Sequence, residues 1–411
     1  MGVAEFFRRN RLAQRSWRQG LIAALLAMPM VVFIVLVFIW PMGRFLILSV
    51  DNSDLSQSLA RTTAAIHDWK MSDGIPAEPV FLALMADLAD AQRKGKDGVL
   101  AQLVNQRLVG SRYLIIKTAK DAAAGQFAGT PVREAVIAKY PGWTNPRLWA
   151  VIAANTGRYT DYYLLASLDL ERDDDGHVSR ISEDRAIFVQ ILMRTVWISF
   201  VVTLICAVIS LPLAQAIVSA SPTVSRVLFA MVLFPLWTSL LIRTVIWIIV
   251  LQRNGPVNAA LTTFGIVGSP LDLIYTRFSL YVAMVQVLLP MMVLSIASVM
   301  RRVPDTYMRA ARSLGASWIT AWWRVQLPLV MPGILSGAAI VFVFSLGYYI
   351  TPTLVGGPTD QMISTNIAFF TNQSLNWGMA AALSVQLLLV LLAGAFLFLT
   401  ARALLSRRAK A

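Results

Sequence analysis

Residues 21–40 read LIAALLAMPMVVFIVLVFIW, twenty positions without a charge. A helix needs about 20 such residues to cross a bilayer. Hydrocarbon offers a backbone no water to bond, so a single spanning run is expected to be helical. The run is too long for a signal-peptide core, and no small-residue cleavage pattern follows it. It predicts an uncleaved first span over 21–50. Further apolar runs lie at about 191–218, 224–250, 278–300, 331–353 and 379–402. Together they predict an all-α polytopic membrane protein with six transmembrane helices. Composition fits: only 14% of residues are charged, against roughly 25% in an average soluble domain.

The spans are unevenly spaced. One comes first, a polar stretch covers 51–187, and five more follow in a core at 188–402. The polar stretch mixes helix-like runs (PVFLALMADLADAQRK) with strand-like runs (SRYLIIKTAK, DYYLLASLDL). It predicts a folded insert, α/β or mostly helical, between the first two spans.

The net charge of +14 would suggest nucleic acid in a soluble protein. Its distribution points to topology instead. A basic tail at 1–20 carries Arg8, Arg9, Arg11, Arg15 and Arg18, and a second tail at 403–411 follows Arg402 with Arg407, Arg408 and Lys410. Arg226 closes the link between spans two and three, and Arg301, Arg302, Arg309, Arg312 and Arg324 lie between spans four and five. All fall on one side of a six-span topology. The other side has Arg253 and Arg277 in one short loop and no Lys or Arg in 354–377. The positive-inside rule then places both termini in the cytoplasm and the insert outside. Nucleic acid is not an expected partner; membrane lipid is.

Cys206 is the only cysteine, and His67 and His177 are far apart in sequence. Neither a disulfide framework nor a His/Cys metal cluster is expected. The acidic run from Glu171 to Asp184 resembles a calcium loop superficially. Ser182 stands where the bidentate glutamate belongs, so a solvated turn is the better reading. No phosphate-binding G-x-x-x-x-G-K-[ST] motif occurs, and no catalytic residues are predicted.

The link at 301–330 is the most informative segment. Asp305 is a good helix N-cap candidate, a short helix is predicted through Ser313, and Gly315 suits a left-handed cap. Ala310 and Ala311 leave one side of that helix thin. From the residues alone, an ordinary amphipathic loop is equally compatible. The segment RRVPDTYMRAARSLGASWITAWWRVQLPLVMPGILSG resembles the coupling loop of inner-membrane components of binding-protein-dependent ABC importers, matching it at Ala310, Ala311, Gly315, Leu327 and Pro328. The resemblance implies a type I ABC importer permease fold. It also implies a loop that docks on an ATP-binding cassette ATPase dimer, with ATP and Mg held there and no cofactor on this chain. A second permease subunit, more usually a different chain, and an extracytoplasmic substrate-binding protein complete the implied assembly. Arg309 stands where the family motif has glutamate, which implies a groove, or a second permease, that tolerates an arginine.

The runs Phe234–Asn258 and Gly347–Ile367 resemble spermidine/putrescine permeases, which implies a polyamine or related small solute. Candidate path residues are Trp237, Arg243, Gln286, Tyr348, Tyr349 and Gln386. Aromatic faces suit organic cations, and polar groups at membrane depth suit either path lining or interhelical bonding. Arg243 opposes a cationic solute and favours an anionic or zwitterionic one. Two other classes are weaker. A sensor needs a cytoplasmic signalling domain, and a membrane enzyme needs a polar catalytic cluster at a membrane face; neither is evident.

Overall fold

The computed structural model describes residues 25–127, 131–155, 157–173 and 177–408. The basic tail at 1–20 and the last three residues lie outside the described residues. The chain divides into two units, Met1–Tyr163 and Leu164–Ala411.

In the first unit, α1 (Leu25–Ile47) is long and apolar enough to cross a membrane. It contains a wide π turn at Val35–Ile39, where the amide of Trp40 reaches back to Val35. Pro41 follows directly. A proline ring collides with the carbonyl four residues back, and a wider turn relieves that collision.

The rest of this unit is helical. Its main helices are α2 (Glu78–Arg93), α3 (Asp97–Arg107), α4 (Ser111–Ala123), α5 (Val132–Lys139) and α6 (Pro146–Ala154). The run SRYLIIKTAK is therefore not a strand. Ser111, Ile115, Thr118 and Ala119 are its buried residues, a helical spacing that the β-branched composition disguised. DYYLLASLDL is likewise mostly the short helix Tyr162–Ser167. The core is built around Phe81, Trp143 and Trp149, with Phe81 and Trp143 centred 4.8 and 5.2 Å from Trp149. Both indoles are satisfied: Trp143 donates to Thr118 Oγ1 and Trp149 to the Trp143 carbonyl. The Glu78 carboxylate accepts from the amides of Val132 and Arg133, capping α5 from a distance.

One acid in this unit makes its stability pH-sensitive. Lys139 Nζ and the Tyr140 hydroxyl, each 2.6 Å away, hold the Asp121 carboxyl below its usual range. Burial and Asp121 push Tyr140 up to about 12. A carboxyl with a lowered folded-state pKa stabilises above its unfolded value, near pH 4, and loses that contribution as pH falls further. Acid unfolding followed by tryptophan fluorescence should therefore shift to higher pH in Asp121→Asn. An unshifted midpoint would exclude this contribution.

In the second unit, β1 (Leu170–Arg172) and β2 (Val178–Arg180) form an antiparallel hairpin from the acidic run. Before it, Asp169 sits at φ +57° and is nearly buried. Its carboxylate accepts from the amides of Ile187, Phe188 and Val189. Those are orphan donors at the start of α7 (Phe188–Ser219), so Asp169 is the cap of that spanning helix. Asp169→Ala is expected to destabilise the protein by about 1–2 kcal/mol, within the range for lost caps. A wild-type thermal midpoint in detergent would contradict this.

After α7 come α8 (Pro222–Trp237), α9 (Leu240–Leu251), α10 (Arg277–Met300), α11 (Thr306–Ser313), α12 (Trp318–Leu346), α13 (Ile350–Val355) and α14 (Trp377–Arg408). Among the described residues, six stretches are long and apolar enough to span, namely α1, α7, Leu240–Thr263 (α9 with the short helix Pro256–Thr263 that follows it), α10, α12 and α14, and α8 is a shorter apolar helix besides. The packed centre is α7, α10 and α12, with Ile198, Val202, Leu280, Met284, Met292 and Val341 buried between them.

Two predicted spans differ from expectation. The run 224–250 is broken. α8 tightens into a 3-10 turn at Phe234–Trp237, Thr238 and Ser239 are extended, and α9 starts afresh. Pro235 explains the break, because it lacks an N–H and excludes the preceding carbonyl. The run 331–353 is also divided. α12 starts earlier, at Trp318, passes through a π turn at Trp322–Gln326 just before Pro328, and stops at Leu346. Gly347–Tyr349 separate it from α13.

Candidate functional site

Two regions bring together the residues singled out by sequence. The first is the loop at 301–330. α11 spans Thr306–Ser313 and ends at a tight cap: the Ala316 amide bonds the Ala311 carbonyl, the Gly315 amide bonds Arg312, and Gly315 sits at φ +88°. This is a Schellman cap, where the left-handed residue is normally glycine. The predicted cap at the other end differs. Asp305 occupies the N-cap position but its side chain caps nothing, because its backbone is already helical.

Arg309, Ala310, Gly315 and Pro328 are exposed, and Ala311 and Leu327 are partly so. Leu314 is 89% exposed, with Tyr307, Trp318, Ile319 and Trp323 also open. Sequence reasoning did not single out these apolar side chains. Their signal was available: large apolar residues flank a helix too short to bury them. Arg302, Arg309, Arg312 and Arg324 have no ion pair among the described residues, whereas Arg253 and Arg277 pair with Asp272 and Asp360. The loop thus presents apolar side chains within a field of free arginines. Its root is tied to the bundle by Gln326, which donates to Gln215 on α7.

The second region lies where the two broken spans meet. α9 packs on α10 and α13. Thr244 and Thr351 place their hydroxyls 3.4 Å apart, and Trp247 Nε1 donates to Gln286 Oε1 at 3.3 Å. Trp247 was missed by sequence reading, although it stands one turn after Arg243. Arg243 Nη2 donates to the Thr238 carbonyl at 3.1 Å, a group left free by the helix break. Ser364 donates to the Tyr348 carbonyl. Trp237 is 80% exposed and Tyr349 is exposed beside the second break. Gln386 stands apart on α14, nearly buried, with neither amide atom bonded. Arg243, Thr244 and Trp247 thus lie within one turn of α9, with Gln286 bonded to Trp247 and Thr351 of α13 beside Thr244, whereas Gln386 lies on another helix with its amide unbonded. Among the described residues no group of His, Cys, Asp or Glu is arranged to hold a metal.

The fold and the loop define a polytopic helical membrane subunit of a transport system. The chain belongs to the family of binding-protein-dependent transport system inner membrane components, which it matches over residues 199–411. It is 29% identical to the spermidine/putrescine transport system permease protein PotB of Haemophilus influenzae, over 54% of this chain and 78% of that protein. It is 28% identical to PotB of Escherichia coli K12, over 50% of this chain and 74% of that protein. The inner membrane ABC transporter permease protein YdcU of Escherichia coli is 27% identical over 50% of this chain and 70% of that protein. Among solved structures, a chain of a bacterial alginate ABC transporter in complex with its periplasmic protein shares 19% identity, covers 53% of this chain and 77% of its own, and superposes with TM-score 0.44. The protein is thus an ABC permease component and a multi-pass inner-membrane protein.

Proposed function

We propose that this chain is the translocating permease subunit of an ATP-driven importer that works by alternating access. The observation that carries this reading is the exposed α11 loop, apolar and basic, rooted directly in the α7–α12 bundle. Such a surface suits docking on a separate ATPase, which would hold ATP and Mg. ATP binding there moves the loop, the bundle follows, and the path opens toward a loaded binding protein. A second permease subunit completes the path. The free arginines of the loop and the ion-paired ones on the opposite side support cytoplasmic termini and an external insert. The insert then acts as a platform for the binding protein.

The permease relatives support a small amine-bearing solute, polyamine or related. The test is to purify the chain with its cognate ATPase and second permease and measure ATP hydrolysis with loaded binding protein. Hydrolysis stimulated by that protein and lost on deleting 306–315 is the expected result. An ATPase that fails to copurify would overturn the reading. An antibody fragment against the insert is expected to abolish the stimulation; unaffected stimulation would remove the platform role.

A further inference from the structure

A guanidinium carries five N–H donors and is always charged. In Arg243, one of them meets the Thr238 carbonyl. Nε and Nη1 are out of solvent contact and have no partner. Among the described residues Arg243 has no ion pair, and between Arg185 and Leu271, between Thr306 and Thr359, and beyond Gln361 the sequence has neither Asp nor Glu. Asp272 and Asp360 are the nearest acids along the outer loops, and each already has its own arginine. A buried charged donor without an acceptor is destabilising, and within a membrane protein it marks a functional position.

Its surroundings differ from ordinary packing. Arg243 stands in the first turn of a helix that restarts within an apolar segment, and the next residue, Thr244, meets Thr351 just past the second backbone break at Gly347–Tyr349. Such restarts are tolerated in membranes only where protein or a cavity meets the freed groups. Here the Thr238 carbonyl freed by the first break holds Arg243, and the neighbouring Thr244 hydroxyl lies 3.4 Å from that of Thr351, just past the second break.

Resting on the permease reading above, we infer that Arg243 is the solute-recognising cation of the path, and that its free N–H groups take an oxyanion, a carboxylate or its equivalent, on the transported solute. The present conformation leaves those groups sealed and unpaired. A solute that pairs them only in the open conformation stabilises that conformation, because a ligand shifts an equilibrium by its differential affinity for the two states. The same charge repels a pure polycation. With an amine-bearing solute, the recognised class becomes a zwitterion.

The test uses the full complex with the ATPase and second permease. Cys206 is the chain's only thiol, so a Cys206→Ala background with Tyr348→Cys reports one position. Its labelling by a sulfonate-bearing and by a trimethylammonium-bearing methanethiosulfonate is followed by the mass of this chain, with and without nucleotide. Adding Arg243→Gln is expected to lower the sulfonate-to-ammonium rate ratio by about ten-fold, the scale of local charge focusing in a cleft. An unchanged ratio in an intact complex overturns the inference alone, as does a cysteine unreactive to both reagents in every nucleotide state. A chain that does not copurify with the ATPase overturns the permease reading itself.

Discussion

Replacing Gly333 by leucine is expected to remove most of the folded protein from detergent extracts. A Cβ at Gly333 would lie 3.0 Å from Val299 Cβ and 3.1 Å from the Ser295 carbonyl oxygen, so it meets a stiff side chain and backbone. One turn on, a Cβ at Gly337 would lie 2.6 Å from Met292 Sδ and 3.0 Å from Ser295 Cβ. The two glycines, four residues apart, let α12 lie against α10. In lipid, helices gain no water-driven attraction from burying apolar surface against each other, so close backbone approach carries much of the association. Overpacking a tight site destabilises by about 1–3 kcal/mol, and leucine adds three carbons beyond Cβ. Gly347→Ala is the control, since its nearest neighbour is 3.9 Å away. Monodisperse yield and thermal midpoint measure the effect. Equal values for Gly333→Leu and Gly347→Ala would show that α10 and α12 do not rely on this contact.

The spans were legible because hydrocarbon imposes one answer on twenty uncharged residues. Their interruptions were less so. Pro235 breaks its helix, yet Pro328 and Pro332 sit inside a continuous one, because the π turn at Trp322–Gln326 absorbs the first of them. Whether a proline breaks or bends depends on the neighbouring turn, which a sequence does not display. The insert misled for another reason. Ile115 and Ile116 favour strands in general, but the buried positions of α4 follow a helical period, and tertiary packing overrode propensity. The capping carboxylates were hidden by distance. Asp169 reaches the start of α7 from 18–20 residues away, and Glu78 reaches α5 from 54–55 residues away. In the site, Arg243 was visible as a charge in an apolar run. Its unpaired state was not, since that depends on which acceptors the folded chain brings to it, and the structure brings one, the Thr238 carbonyl.

The loop was read from its residues, and its geometry makes the remaining large prediction. Gly315 at φ +88° is the left-handed residue that turns the chain out of α11. A β-branched residue there is a genuine outlier, and the left-handed conformation costs an L-residue about 1–2 kcal/mol. Nothing lies within 4 Å of a Cβ at this position, so substitution strains the turn without a clash. The exposed turn can relieve that strain by changing its path, so Gly315→Val should redirect Leu314 and Trp318 while leaving membrane yield near wild type and lowering the thermal midpoint only slightly. Binding-protein-stimulated ATP hydrolysis is expected to fall by about ten-fold, the change that roughly 1.4 kcal/mol of lost coupling produces. Gly315→Asn, which tolerates the left-handed region, should retain most of the activity. Arg309→Glu provides the electrostatic counterpart. Arg309 is exposed and has no ion pair among the described residues, so charge reversal breaks no ion pair there, and within α11 it changes stability by only a few tenths of a kcal/mol, through Arg312 and Asp305. Reduced hydrolysis with normal yield identifies an acidic contact on a docked partner. Wild-type hydrolysis in both Gly315→Val and Arg309→Glu would show that force does not enter the bundle through this loop.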